Sequence, residues 1–156
     1  MTQLIPGDTF PDLALTTLTG EITLPGALAG DYGVVLVNRG AWCPYCVGQL
    51  RAFQRSLPKL TETGVKVVAL WVDDESTTRQ IADKHKIEFP FGYGVDAPAV
   101  AEATGAFVNP DPVHLQSTGF VLDPTGKVLV SVYSTGAIGR LVPEDVIGLV
   151  QYMKEH

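Results

Sequence analysis

Two periodicities divide this chain. Residues 33–37 form an unbroken apolar run of strand length that stops at the polar pair Asn38-Arg39. A run apolar on every position fits a central strand buried on both faces. A few residues on, the period changes. Cys46, Leu50, Phe53, Leu57 and Leu60 recur at steps of four, three, four and three, one face of a helix that runs to about Glu62 and is closed by Gly64. Pro58 lies inside that pattern and has no N–H for the carbonyl of Gln54, so the spacing predicts a kink there. Residues 65–72 read as a second buried strand and residues 76–87 as a polar helix. Phe89-Pro90-Phe91 reads as a short strand or strand-like loop. Residues 96–104 read as a short helix with Asp96 as cap, Pro98 in the first turn and Gly105 as the stop.

The two ends of the chain are read from turn chemistry. In the Pro-, Gly- and Thr-rich residues 1–31, Leu13 and Leu15, then Ile22 and Leu24, suggest two short strands around a turn at Thr19-Gly20-Glu21. Residues 106–117, with Asn109-Pro110-Asp111-Pro112, read as a loop. Residues 119–122 and 127–133 flank Asp123-Pro124-Thr125-Gly126, whose Asp, Pro and Gly sit where a type I turn wants them. Residues 136–142 read as a loop, and a last helix over 143–154 places Val146, Leu149, Val150 and Met153 on one face. The order predicts an α/β chain, a mixed sheet with helices on both faces and right-handed crossovers in its parallel part.

Composition narrows the function classes. At 156 residues and 46% hydrophobic, the chain suits one domain, residues 1–156, with a real core. A net charge of −6 without a basic cluster disfavours nucleic acid and anionic membranes as partners. No apolar run approaches the roughly 18 residues of a membrane helix, and residues 1–8 lack the basic start and apolar core of a secretion signal. Two cysteines are too few for a disulfide-stapled scaffold. A cytoplasmic location is the default expectation, and there a lone pair is catalytic or metal-binding more often than structural.

Both cysteines lie in Trp42-Cys43-Pro44-Tyr45-Cys46, at the strand-to-helix junction. Cys43 is expected at, or one residue before, the helix start and Cys46 one turn in. Unpaired N–H groups and the helix dipole favour a thiolate there, and in such motifs a thiol can titrate well below about 8.5. Cys46 opens the apolar stripe and should face the core. Cys43 lies off it and should be exposed, so Cys43 is expected to attack a substrate and Cys46 to resolve the product. Arg39 before the turn and Arg140 in the late loop are the cations available to a thiolate, if folded close. Pro44 suits the first helical position, and Trp42 and Tyr45 suit the rim of a substrate surface. A metal centre needs about four ligands; His85 and His114 have no paired spacing, so neither metal nor other cofactor is expected. Gly136-Ala137-Ile138-Gly139-Arg140 reads as a connector, and Asp73-Asp74-Glu75 as a solvated strand end leading into a helix.

The succession of strand, Trp-Cys-x-x-Cys turn, kinked helix, βα unit, hairpin and last helix resembles the thioredoxin fold over nearly the whole chain. The length, the N-terminal extension and Phe120-Val121-Leu122-Asp123-Pro124-Thr125-Gly126-Lys127-Val128 resemble the peroxiredoxin or redoxin branch, the alkyl hydroperoxide reductase and thiol-specific antioxidant family. Cys43-Pro44-Tyr45-Cys46 is similar to the tetrad of many glutaredoxins. Laid on the peroxiredoxin pattern P-x-x-x-(T/S)-x-x-C, Cys46 takes the peroxidatic position, Cys43 replaces Thr/Ser and Arg39 replaces Pro. The Arg that precedes the late hairpin in peroxiredoxins, like the cis-proline of thioredoxins, falls near Ser117. That loop implies Ser117 and Thr118 as residues facing the cysteines. The resemblance implies a thiol antioxidant enzyme that reduces hydroperoxides, recycled by an external thiol reductant such as thioredoxin or glutathione, and it leaves room for a homodimer. Two other readings stay open: a thiol–disulfide oxidoreductase acting on protein or glutathione disulfides, and a non-enzymatic redox-sensing module.

Overall fold

The structure, a computed structural model, describes residues 2–156, so Met1 of the N-terminal stretch lies outside the described residues. Strands β1 (Leu13–Thr17) and β2 (Gly20–Leu24) form a hairpin, followed by β3 (Tyr32–Val37), helices α1 (Pro44–Arg55) and α2 (Leu57–Thr63), and β4 (Val65–Leu70). Then come α3 (Glu75–His85), β5 (Phe91–Gly92), α4 (Ala97–Thr104), β6 (Val108–Pro110), β7 (Val113–Leu115), β8 (Thr118–Leu122), β9 (Val128–Tyr133) and α5 (Pro143–Glu155). A seven-stranded sheet runs in the order β2-β1-β5-β4-β3-β8-β9. β3 lies parallel to β4 and antiparallel to β8, so the sheet is mixed, as the alternation of elements predicts.

The all-apolar run of β3 is explained by its two neighbours in depth. Val35 and Val37 join Phe10, Val68, Leu70, Val100 and Phe120 on one face. Val34 and Leu36 join Leu50, Phe53, Leu60, Val146 and Val150 on the other. Thus α1, α2 and α5 cover one side and α4 with the N-terminal segment covers the opposite side. That segment runs beside the late hairpin: the Gly7 N–H donates to the Val128 carbonyl at 2.9 Å and the Val128 N–H to the Asp8 carbonyl at 2.8 Å.

Several expectations are corrected. The kink at Pro58 is a full break: α1 ends at Arg55, Ser56 caps it, and Pro58 sits in the first turn of α2. Its missing N–H is one that a helix start leaves unpaired in any case. Residues 106–117 hold a hairpin, with Val108 paired to Leu115 and Pro110 to Val113. The β1–β2 turn centres on Leu18-Thr19, because Thr17 pairs with Gly20. The second buried strand stops at Leu70, two residues early. Met153 is exposed, because α5 projects past the core at its last turn.

Candidate active site

The carboxyl ends of the parallel strands β3 and β4 open on the same edge, where α/β proteins build their sites. From β3 the chain continues as Asn38-Arg39-Gly40-Ala41-Trp42 into α1; from β4 it continues into Asp73. The two exits are tied by the Ala41 N–H, which donates to Asp73 Oδ2 at 2.7 Å. Asp74 caps α3 by accepting the Thr77 N–H at 2.9 Å. The acidic triplet read as a solvated strand end is therefore half site scaffold, half helix cap.

Cys43 is the N-cap of α1, with Pro44 in its first turn. Its Sγ accepts the backbone N–H of Cys46 at 3.3 Å, the capping bond that Ser or Asp oxygens usually make. Cys46, one turn in, has its Sγ facing the Arg39 N–H at 3.3 Å. The expected exposure of Cys43 is not found: Cys43 is 1% exposed and Cys46 fully buried. The turn that carries Cys43 is crowded by side chains the helical stripe does not include, among them Arg39 and Arg140 at its sulfur. The Trp42 indole folds back over Gly40, where a β-carbon would collide with it. It lies 4.8 Å from the Arg39 guanidinium carbon and edge-on to His114 at 5.0 Å between centroids. Trp42 and Tyr45 are themselves more than half exposed, 56% and 57%.

Both arginines named by the sequence fold onto the pair. Arg140 places one terminal nitrogen 2.8 Å from Cys46 Sγ and 3.9 Å from Cys43 Sγ. Arg39 places one 3.9 Å from Cys43 Sγ. The loop read as a connector is thus the carrier of a site cation. Three polar residues missed in the sequence hold these cations. Asn38 and Gln49 accept from Arg140, and Gln116 accepts from Arg39 Nε at 3.0 Å. Gln49 was visible at three residues past Cys46 on one helical turn; Gln116 had no signal. Ser117 and Thr118 are buried beside the site, but neither hydroxyl bonds a cysteine: Thr118 Oγ1 donates to the Gln116 carbonyl at 3.1 Å. His114 is buried, with Nδ1 at 3.1 Å from the Pro112 carbonyl and, among the described residues, no partner for Nε2. Burial, then the Arg39 charge, hold its imidazole below the ordinary value, and the Pro112 carbonyl and Asp73 only partly offset this.

The two thiols are driven apart. Burial pushes Cys43 up, but the hydrogen bonds from the Cys46 thiol and N–H, the Arg39 side chain and the Arg140 charge outweigh it, and the net value lies below that of a free thiol. Burial raises Cys46, and donating its proton to Cys43 raises it further. The Arg140 charge and the N–H groups of Gly40 and Arg39 offset this only in part. Of the two, Cys43 is thus the thiol that gives up its proton more readily and Cys46 the one that keeps it to higher pH. Such a pair can give two electrons to an acceptor and close on itself. Among the described residues no group of three or more His, Cys, Asp or Glu side chains is placed to hold a metal ion, and no helix is long and apolar enough to cross a membrane.

Residues 6–131 match the model of the AhpC/TSA family. The chain is 29% identical over 144 residues to a peroxiredoxin of Treponema denticola, covering 90% of this chain and 69% of that protein. It is 28% identical, with the same coverage, to a peroxiredoxin of Methanothermobacter thermautotrophicus. Among solved structures it superposes on peroxiredoxin 6 of Arenicola marina with a TM-score of 0.84 at 16% identity, over 97% of this chain and 74% of that one. It superposes on AhpC of Mycobacterium tuberculosis with a TM-score of 0.80 at 19% identity, over 98% and 94%. These two likenesses carry the fold: a thioredoxin-like α/β architecture. The chain belongs to the AhpC/TSA family and is a peroxiredoxin-like, thiol-dependent oxidoreductase.

Proposed function

We propose that the protein reduces hydroperoxides through a Cys43/Cys46 dithiol–disulfide cycle, with Cys43 as the attacking sulfur. The observation that carries this reading is the N-cap position of Cys43. Its sulfur accepts the Cys46 N–H at 3.3 Å, with two guanidinium groups each 3.9 Å away. The thiolate attacks the terminal peroxide oxygen, the O–O bond breaks, and the alkoxide leaves and takes a proton from water. The resulting Cys43 sulfenic acid is attacked by the Cys46 thiol; an S–S bond forms and the hydroxyl leaves as water with the Cys46 proton. An external thiol, such as thioredoxin or glutathione, then returns the two electrons. Ser117 and Thr118 line this centre without a chemical role, and Trp42, Pro44 and Tyr45 shape its mouth. A reducing compartment, the cytoplasm, suits a chain whose two cysteines are both free, and a homodimer is compatible with the exposed rim.

A second order of events has its own support. Cys46 occupies the family's peroxidatic position and has Arg140 at 2.8 Å, so Cys46 attacks first in that reading. Single Cys43→Ser and Cys46→Ser variants separate the two. With a small alkylating probe, the Cys46→Ser protein, which retains Cys43, is expected to be labelled at lower pH. It is also expected to yield a trappable sulfenic acid with peroxide. Labelling of the Cys43→Ser protein at the lower pH reverses the assignment.

A further inference from the structure

We infer that Gln49, Asn38 and Gln116 are positioning residues that aim two guanidinium charges at the thiol pair while leaving those charges unneutralised. The inference rests on the reading of the pair as a redox centre. Arg140 donates through Nε to the Ala137 carbonyl at 2.6 Å and through one terminal nitrogen to Asn38 Oδ1 at 2.9 Å and Gln49 Oε1 at 2.7 Å. The other terminal nitrogen is left for the sulfurs. Arg39 donates through Nε to Gln116 Oε1 at 3.0 Å and turns a terminal nitrogen to Cys43. Every oxygen that holds either guanidinium belongs to an amide or a carbonyl. Among the described residues the ion pairs are Lys59–Glu62, Lys66–Asp31 and Arg79–Glu75, so neither site arginine has a carboxylate partner. The carboxylate at this edge, Asp73, is engaged by the Ala41 N–H.

Neutral holders have a chemical consequence. A carboxylate would grip a guanidinium more tightly through charge-assisted, bidentate bonds. It would also cancel much of the field that Arg140 and Arg39 exert on a thiolate. An opposite charge within about 4–6 Å lowers an acid's titration by about 1–3 units, and that effect survives only if the cation is not already neutralised. Gln49 is oriented for this task. Its Nε2 donates to the Leu141 carbonyl at 2.9 Å, which obliges Oε1 to face Arg140. It fastens the arginine loop to α1 three residues beyond Cys46. Asn38 is fully buried, and its Nδ2 donates to the Leu36 carbonyl at 3.3 Å, which fixes its oxygen in the same way.

The test reads thiol ionisation, so it holds whether or not peroxide is the substrate. Thiolate ultraviolet absorbance and iodoacetamide alkylation are followed against pH on the reduced protein. Gln49→Met keeps the side-chain length and removes both amide bonds. It is expected to move the thiolate titration to higher pH and to slow alkylation at neutral pH by about tenfold, with rates converging at alkaline pH. In an Arg140→Met background the same change is expected to do nothing further, because the cation it aims is gone. Gln116→Leu repeats the measurement independently through Arg39. Inertness to peroxide with these shifts intact would overturn the peroxidase reading alone. An unshifted titration in Gln49→Met and Gln116→Leu, or an undiminished Gln49→Met effect without Arg140, would overturn the positioning role.

Discussion

At the scale of single residues, the site is a charge balance across two sulfurs at a helix start. The capping N–H and two guanidinium groups favour a thiolate; complete burial opposes it. The cations are expected to decide the outcome. Replacing Arg140 by Met removes the donor at 2.8 Å from Cys46 and 3.9 Å from Cys43. Stopped-flow oxidation of the reduced variant by hydroperoxide at neutral pH is expected to be about 10- to 100-fold slower than wild type, the range for losing a preorganised charged donor. The sign with pH follows from the direction at Cys43. Its folded value lies below that of a free thiol, so reactivity is kept to lower pH than in a free thiol and fades as pH falls through the folded value; with the cation removed, the fade begins at higher pH. The pair itself was legible in sequence, because a Cys-x-x-Cys between an apolar run and a helical stripe needs only local spacing. Cys43's burial was not. Its Sγ is met by Arg39, which lies against Trp42, and by Arg140, 97 positions on, neither of which spacing places there.

At the scale of elements, turn and cap chemistry was read more securely than pairing between distant segments. Asp96 and Gly105 bound α4 as expected, the former accepting the Ala99 N–H at 3.1 Å and the latter adopting φ 82°. The β8–β9 turn also forms as read. Asp123 Oδ1 accepts the N–H groups of Thr125 at 2.8 Å and Lys127 at 3.0 Å and the Thr125 hydroxyl at 2.7 Å. Partial burial raises this carboxyl, but those bonds and the Lys127 charge outweigh it and hold it below its ordinary value. A depressed carboxyl stabilises the fold above its unfolded value and loses that contribution as pH falls through the folded value. Asp123→Ala is therefore expected to lower unfolding free energy by about 1 kcal/mol at neutral pH. Urea titrations should show the gap to wild type closing in acid. The β6–β7 hairpin escaped the sequence reading because Asn109-Pro110-Asp111-Pro112 reads as irregular chain, and its strands are three residues each. Too few alternating positions were available to show a period.

At the scale of the whole molecule, the sheet holds the site open at one edge while the N-terminal segment closes the opposite face. Tyr133, on β9, is the hub of that closure. Its hydroxyl accepts the Leu4 N–H at 2.8 Å and donates to the Thr104 carbonyl, linking the first residues to the end of α4. Phe120 packs edge-on against both Phe10, at 5.2 Å, and Tyr133, at 5.7 Å. Tyr133→Phe keeps the ring and strands two partly buried backbone groups. It is expected to cost about 1–3 kcal/mol in urea unfolding and to leave thiol alkylation rates unchanged, since none of its partners touches the cysteines. The family frame was legible in the order of elements and the late hairpin. The way this chain supplies its cation was not, since Ser117 stands where the frame's arginine is expected and Arg140 arrives from another loop.

Peroxide chemistry at a paired thiol is tested most directly by rate. The fully reduced protein is mixed with hydrogen peroxide, with an organic hydroperoxide and with a small disulfide under one set of conditions, and the oxidised product is mapped by mass spectrometry. Oxidation by at least one hydroperoxide is expected to outpace a free thiol of matched acidity by several orders of magnitude. The product should lose two hydrogens and carry a Cys43–Cys46 link. Oxidation by both hydroperoxides no faster than that free thiol, with rapid exchange by the disulfide, would contradict the account and leave a disulfide oxidoreductase in its place.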